Sequence, residues 1–131
     1  MVKQISHIGV VVRELEKARN FYSSLLNLSS SSPIEGSGMK MSLVHAGNAE
    51  IELLEPTTKE GVLAKFLERH GEGVHHICFE VDDIESELES LQRKGMELVD
   101  KKPRPGAEGK VAFLHPRMTF GVLIELVEKE K

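Results

Sequence analysis

The sequence predicts an α+β protein built from two copies of one βαβββ module, and three observations lead there. An internal similarity spans the chain. Within each half the hydrophobic period switches from two to 3.6 and back. The 131 residues, 40% hydrophobic and 29% charged, suit one ordinary globular domain with a buried core.

The similarity has two anchors. His7-Ile8-Gly9-Val10-Val11-Val12 resembles His76-Ile77-Cys78-Phe79-Glu80-Val81 at an offset of 69, and Ile51-Glu52-Leu53-Leu54-Glu55 resembles Ile124-Glu125-Leu126-Val127-Glu128 at an offset of 73. The four additional residues imply a longer loop in the second half. Each half opens on a His-bearing apolar strand and closes on a Glu-bearing one.

After the first strand, Leu15, Ala18, Tyr22, Leu25 and Leu26 recur at helical spacing, which predicts a helix packed by that face. Ser29–Glu35, Met39–His45 and Ile51–Glu55 then complete the module as strands, and Pro56, lacking an N–H for the ladder, ends the last of them. Val62, Leu63, Phe66 and Leu67 suggest a short amphipathic linker helix starting after Thr58. In the second half Ile84, Leu88 and Leu91 mark the helix, with Asp82 or Asp83 as N-cap and Gly95 as its stop. Met96–Lys102, Lys110–His115 and Val122–Leu126 follow as strands. The expected division is one domain over 1–131, with module one at about 4–56, the linker at about 57–72 and module two at about 73–129.

Side chains of a strand alternate between faces, so parity alone sorts them. Ile8, Val10 and Val12 oppose His7; Ile77, Phe79 and Val81 oppose His76; Ile51 and Leu53 oppose Glu52; Val122, Ile124 and Leu126 oppose Glu125. If each helix covers the apolar face, His7, Glu52, His76 and Glu125 project from the other. Two imidazoles and two carboxylates form a donor set for a divalent cation, with zinc, nickel, cobalt, iron, manganese and magnesium all compatible with the types. Solvated outward residues of half-exposed strands would share these types. The repetition of both pairs with matching parity favours a common site.

Other polar residues have plainer expectations. Glu50 shares the face of Glu52 and competes with it. His75 alternates with His76 and belongs to the helix side or the rim, His45 and His115 lie near loop ends, His70 is at the surface, and Cys78 is a small buried residue. With 17 Lys and Arg against 21 Asp and Glu, a formal charge of −4 speaks against a nucleic-acid partner. No apolar run is long enough for a membrane span, and the single cysteine suits a reducing, cytoplasmic setting. Walker loops, G-x-G-x-x-G turns and G-x-S-x-G elbows are missing from the sequence.

The paired modules, with His opening and an acid closing each, resemble the vicinal oxygen chelate superfamily. Gly71-Glu72-Gly73-Val74-His75-His76-Ile77, Glu52-Leu53-Leu54-Glu55-Pro56, Phe113-Leu114-His115-Pro116 and Gly121-Val122-Leu123-Ile124-Glu125-Leu126 are similar to the methylmalonyl-CoA epimerases within it, a match running from Ile5 to Glu128. The resemblance implies a curved mixed sheet around a metal-containing cleft. It implies one divalent ion per chain, cobalt, manganese, zinc or nickel, held by His7, Glu52, His76 and Glu125, although some epimerases carry Gln at the Glu52 position. The implied reaction interconverts the epimers of methylmalonyl-CoA; the equivalent places of Glu125 and Glu52 in the repeat make them the expected catalytic pair, exchanging protons on opposite faces. An acyl-CoA substrate and a homodimer are implied as partners. Lys40, Lys101, Arg104, Lys110 and Arg117 are cations from which the anionic substrate could draw. Two alternatives share the layout: a glyoxalase I-type lactoylglutathione lyase, and a non-catalytic ligand-sequestering protein like the bleomycin-resistance proteins.

Overall fold

A computed structural model describes residues 1–130 of the chain. They form β1 (Val2–Val11), α1 (Leu15–Ser24), β2 (Ile34–Gly36), β3 (Met39–His45), β4 (Glu50–Pro56), α2 (Val62–His70), β5 (Gly73–Val81), α3 (Ile84–Arg93), β6 (Arg104–Pro105), β7 (Gly109–Leu114), a 3-10 turn (Pro116–Met118) and β8 (Leu123–Lys129). The α+β class and the doubled strand, helix, three-strand order are those expected. Two compact units result: His7–His75, and Met1–Ser6 together with the chain from His76 onward.

In the first unit the strands run β2-β3-β4-β1. β1 and β4 are parallel, with Ile8 opposite Ile51 and Gly9 opposite Glu52, while β3 is antiparallel to β4, with Leu43 opposite Glu52. Val12, Leu15, Val44 and Leu53 make the core, joined by Val10, Ala18, Tyr22, Leu28 and Ile51. In the second unit the order is β5-β8-β7-β6. Ile77 lies opposite Ile124 and Cys78 opposite Glu125 in a parallel pair, and Phe113 lies opposite Glu125 across the antiparallel β7–β8 pair. Val81, Ile84, Leu88, Ala112, Leu114 and Leu126 form its core, with Phe79, Leu91, Leu98 and Ile124 against it. Burying each large aliphatic side chain contributes about 1.5–3 kcal/mol, so each helix is held chiefly by its apolar stripe.

The two main helices begin in the same way. The N–H of Leu15 donates to Glu55 Oε1 at 2.7 Å, and that of Ile84 to Glu128 Oε1 at 2.9 Å. Each carboxylate reaches from the end of β4 or β8 to the positive end of a helix, where an orphan N–H and the macrodipole both favour it. Asp83 also caps α3 by accepting from Ser86 N–H, whereas Glu14 makes no such bond at α1. Of the two expected caps, Asp83 is the one used. Gly95, at φ +89°, turns the chain after α3 as expected.

Three segments differ from expectation. α1 stops at Ser24, and Leu25 and Leu26 lie beyond it, exposed. Asn27 takes a left-handed conformation and the Leu28 N–H returns to the Tyr22 carbonyl, which sends Leu28 into the core instead. The strand expected over Ser29–Glu35 is a single bridge, Ser30 to Val44, followed by the short β2. The strand expected over Met96–Lys102 is likewise a bridge, Leu98 to Leu114, followed by the two-residue β6. Pro33 and Pro103 cannot donate to a ladder, and two N–H groups of the neighbouring strands are met by side chains: Ser31 Oγ accepts from Leu43 N–H and Asp100 Oδ2 from Phe113 N–H, each at 2.9 Å.

Candidate metal centre

Each unit carries a buried imidazole beside a carboxylate. In the first, His7 is 6% exposed, and its Nε2 lies 3.6 Å from Glu52 Oε1, on a side chain 17% exposed. Alternation has put Val10, Val12, Ile51 and Leu53 under the helix and turned this pair to the other face. In the second unit His76 is 5% exposed, and its Nε2 lies 3.3 Å from Glu125 Oε1, with that side chain 12% exposed. Phe79, Val81, Ile124 and Leu126 occupy the helix side there.

The donor geometry suits a metal. Two atoms bound to one ion with bonds of about 2.1 Å at 90–109° stand about 3.0–3.4 Å apart, the range these pairs approach. Imidazole nitrogen with carboxylate oxygen is also the mixed set that first-row divalent ions accept.

The competing residues are accounted for by their partners. Glu50 Oε2 is 2.6 Å from His45 Nδ1, its neighbour across the β3–β4 hairpin, so the acid that rivals Glu52 is engaged at the strand end. His115 Nδ1 accepts from Arg117 N–H and caps the 3-10 turn. His75 meets the edge of the Phe66 ring on α2, with centroids 5.1 Å apart, and exposed His70 lies 4.9 Å from the same ring. Cys78 is fully buried.

Two neighbours of the second pair go beyond the sequence reading, in which Arg104 is one of five candidate cations and Phe113 has no role at the site. The Phe113 ring stands edge-to-face with His76 at 6.3 Å, and the Arg104 guanidinium lies 5.4 Å above the centroid of Phe113. The available signal was the parity of Phe113 with its register partner Glu125, visible only once β7 and β8 are paired.

A doubled βαβββ framework with a His–Glu pair in each copy defines a class, and comparison agrees. Residues 6–113 match the model of the glyoxalase/bleomycin resistance protein/dioxygenase superfamily, and the chain belongs to it. Its relatives include methylmalonyl-CoA epimerases. The human mitochondrial methylmalonyl-CoA epimerase is 37% identical over 127 residues, covering 94% of this chain and 72% of the relative. The ethylmalonyl-CoA/methylmalonyl-CoA epimerase of Cereibacter sphaeroides is 34% identical over 131 residues, covering 96% and 98%. A solved methylmalonyl-CoA epimerase in complex with methylmalonyl-CoA and ammonium superimposes with a TM-score of 0.88 at 30% identity, covering 98% of this chain and 96% of that one.

Proposed function

We propose that this protein is a metal-dependent methylmalonyl-CoA epimerase, an isomerase in which both units form a single domain and His7, Glu52, His76 and Glu125 converge on one divalent ion in a shared cleft. The observation that carries this is the duplicated His–Glu pair, at 3.6 and 3.3 Å, in a chain whose epimerase relatives align over nearly its full length. Cobalt, manganese, zinc and nickel all fit two nitrogens and two oxygens. When bound, such an ion supplies Lewis-acid stabilisation of the negative charge that develops on oxygen after proton loss next to the thioester.

The chain's own residues move the proton. Inversion needs exchange on both faces of a planar enolate, most simply with one base per face. Glu125 removes the proton from one face through a carboxylate oxygen, and Glu52 returns one to the opposite face. In the reverse direction their roles interchange. His7 and His76, being buried, hold nitrogen donors in fixed orientation and exclude water beside the carboxylates. The protein acts in the cytoplasm as a homodimer, a setting that suits its single cysteine.

A stereochemical assay tests the reading. Purified protein loaded with cobalt converts one epimer of methylmalonyl-CoA into the other, and solvent deuterium enters at the methyl-bearing carbon. Ethylmalonyl-CoA belongs in the same experiment because the Cereibacter relative is named for both. Turnover only of the methylglyoxal–glutathione hemithioacetal would replace this reading with a lactoylglutathione lyase, and tight binding of an aromatic drug without turnover would replace it with sequestration.

A further inference from the structure

The two units share a framework, yet at three matching positions their chemistry parts. Leu43 and Phe113 are equivalent, each lying opposite the glutamate of its unit's His–Glu pair. Ser31 and Asp100 are equivalent, each accepting the N–H of that residue through its side chain. Ile34 and Arg104 are equivalent, each sitting on the short edge strand opposite Met41 or Val111. A neutral set, Ser31, Leu43 and Ile34, thus faces a duplicate converted to Asp100, Phe113 and Arg104.

The converted set is built to hold a guanidinium. Asp100 Oδ2 lies 3.4 Å from Arg104 Nε, while the same oxygen accepts from Phe113 N–H, so one carboxylate fixes both the arginine and the strand beneath it. The Phe113 ring supports the guanidinium as a cation–π platform and also meets the His76 ring edge-to-face. Only Nε is engaged, and the side chain is 56% exposed, so the planar Nη fork is presented to solvent with its orientation already set. That fork is the donor geometry that matches an oxyanion with two oxygens.

We propose that Arg104 is a specificity-determining residue that binds an oxyanion of the acyl-CoA substrate, a carboxylate or a phosphate, one aromatic ring away from the His76–Glu125 pair. The proposal rests on the epimerase reading above. Asp100 and Phe113 act as positioning residues for the arginine.

Substrate binding by calorimetry and steady-state kinetics, on the metal-loaded protein, test it together. Arg104→Ala is expected to weaken methylmalonyl-CoA binding and raise KM about tenfold or more, the scale of a lost charge-assisted bidentate contact, with kcat within about threefold. Arg104→Lys restores only part of the loss, and Phe113→Leu, which copies the first unit, gives an intermediate defect. Should Arg104→Ala fold poorly, Arg104→Lys and Phe113→Leu carry the comparison. Repeating the assay with a methylmalonyl thioester truncated at pantetheine separates the sources: a persisting defect assigns the carboxylate, and a vanishing one assigns a phosphate. Wild-type-like binding and KM in Arg104→Ala would overturn the proposal while leaving the epimerase reading intact. Failure of the wild-type protein to bind any acyl-CoA would overturn the reading itself.

Discussion

Glu50 and Glu52 stand two residues apart on one face of β4, and alternation alone ranks neither above the other. The hairpin decides: Glu50 lies opposite His45 and bonds to it, which leaves Glu52 as the acid beside His7. The roles of Glu52 and Glu125 are separable by experiment. Glu125→Gln and Glu52→Gln keep a side-chain oxygen as donor but remove the proton-accepting charge, so each is expected to abolish deuterium wash-in from one epimer while metal stays bound. Unchanged exchange in Glu52→Gln would move the second face to another acid of that unit. A different residue carries the clearest backbone strain. Phe120 is fully exposed and sits at φ +60°, where a bulky L-residue is disfavoured by about 1–2 kcal/mol. Phe120→Asn, which tolerates that region, should stabilise the fold by about 0.5–1 kcal/mol in chemical denaturation.

At the scale of elements, the repeated carboxylate straps bind strand to helix. Glu55 and Glu128 stand three residues beyond Glu52 and Glu125, on the opposite face of the same strands, and each accepts from the first N–H of α1 or α3. Replacing a capping acceptor with alanine costs about 0.5–2 kcal/mol. Because α3 keeps the Asp83 cap and α1 has no second side-chain cap, Glu55→Ala should lose more stability than Glu128→Ala in matched unfolding experiments. A steric constraint holds the last hairpin. Gly109 adopts φ +151°, and a Cβ there would fall 2.1 Å from the Glu128 carbonyl oxygen, so Gly109→Ala must part β7 from β8 and should cost about 2–3 kcal/mol or more. Much of this scale could be read from the chain, since the apolar stripes of α1 and α3 and the parity of β1, β4, β5 and β8 depend on local spacing. The short β2 and β6 could not, because Ser31 and Asp100 meet N–H groups of the neighbouring strands through side-chain bonds that no hydrophobic period reports. Leu25 and Leu26 misled for a related reason: their spacing is helical, but the turn at Asn27 ends the helix first.

At the scale of the whole molecule, the start of β1 is tied into the second unit by Glu80, buried on β5. Gln4 donates to its carboxylate at 2.9 Å and holds it below the usual carboxylate range; burial opposes that shift, while Lys129 and Lys3 assist it. A carboxyl depressed in the folded state adds stability that is fully present above its unfolded value near 4.5 and is lost as pH falls through the lower folded value. Glu80→Gln should therefore be less stable than wild type at neutral pH, with the gap closing in acid as pH falls below the unfolded value. The partition of polar residues was legible for the same reason that the fold was. Duplication makes His7 and His76, and Glu52 and Glu125, vouch for each other. Arg104 and Phe113 have no such witness, because their chemistry lies where the copies differ.

Metal content per chain tests the central claim most directly. One cobalt ion per wild-type chain, lost in His7→Ala and lost equally in His76→Ala although both variants remain folded, is the predicted result. Two ions per chain, or one retained after either substitution, would mean that the two His–Glu pairs serve separate ends.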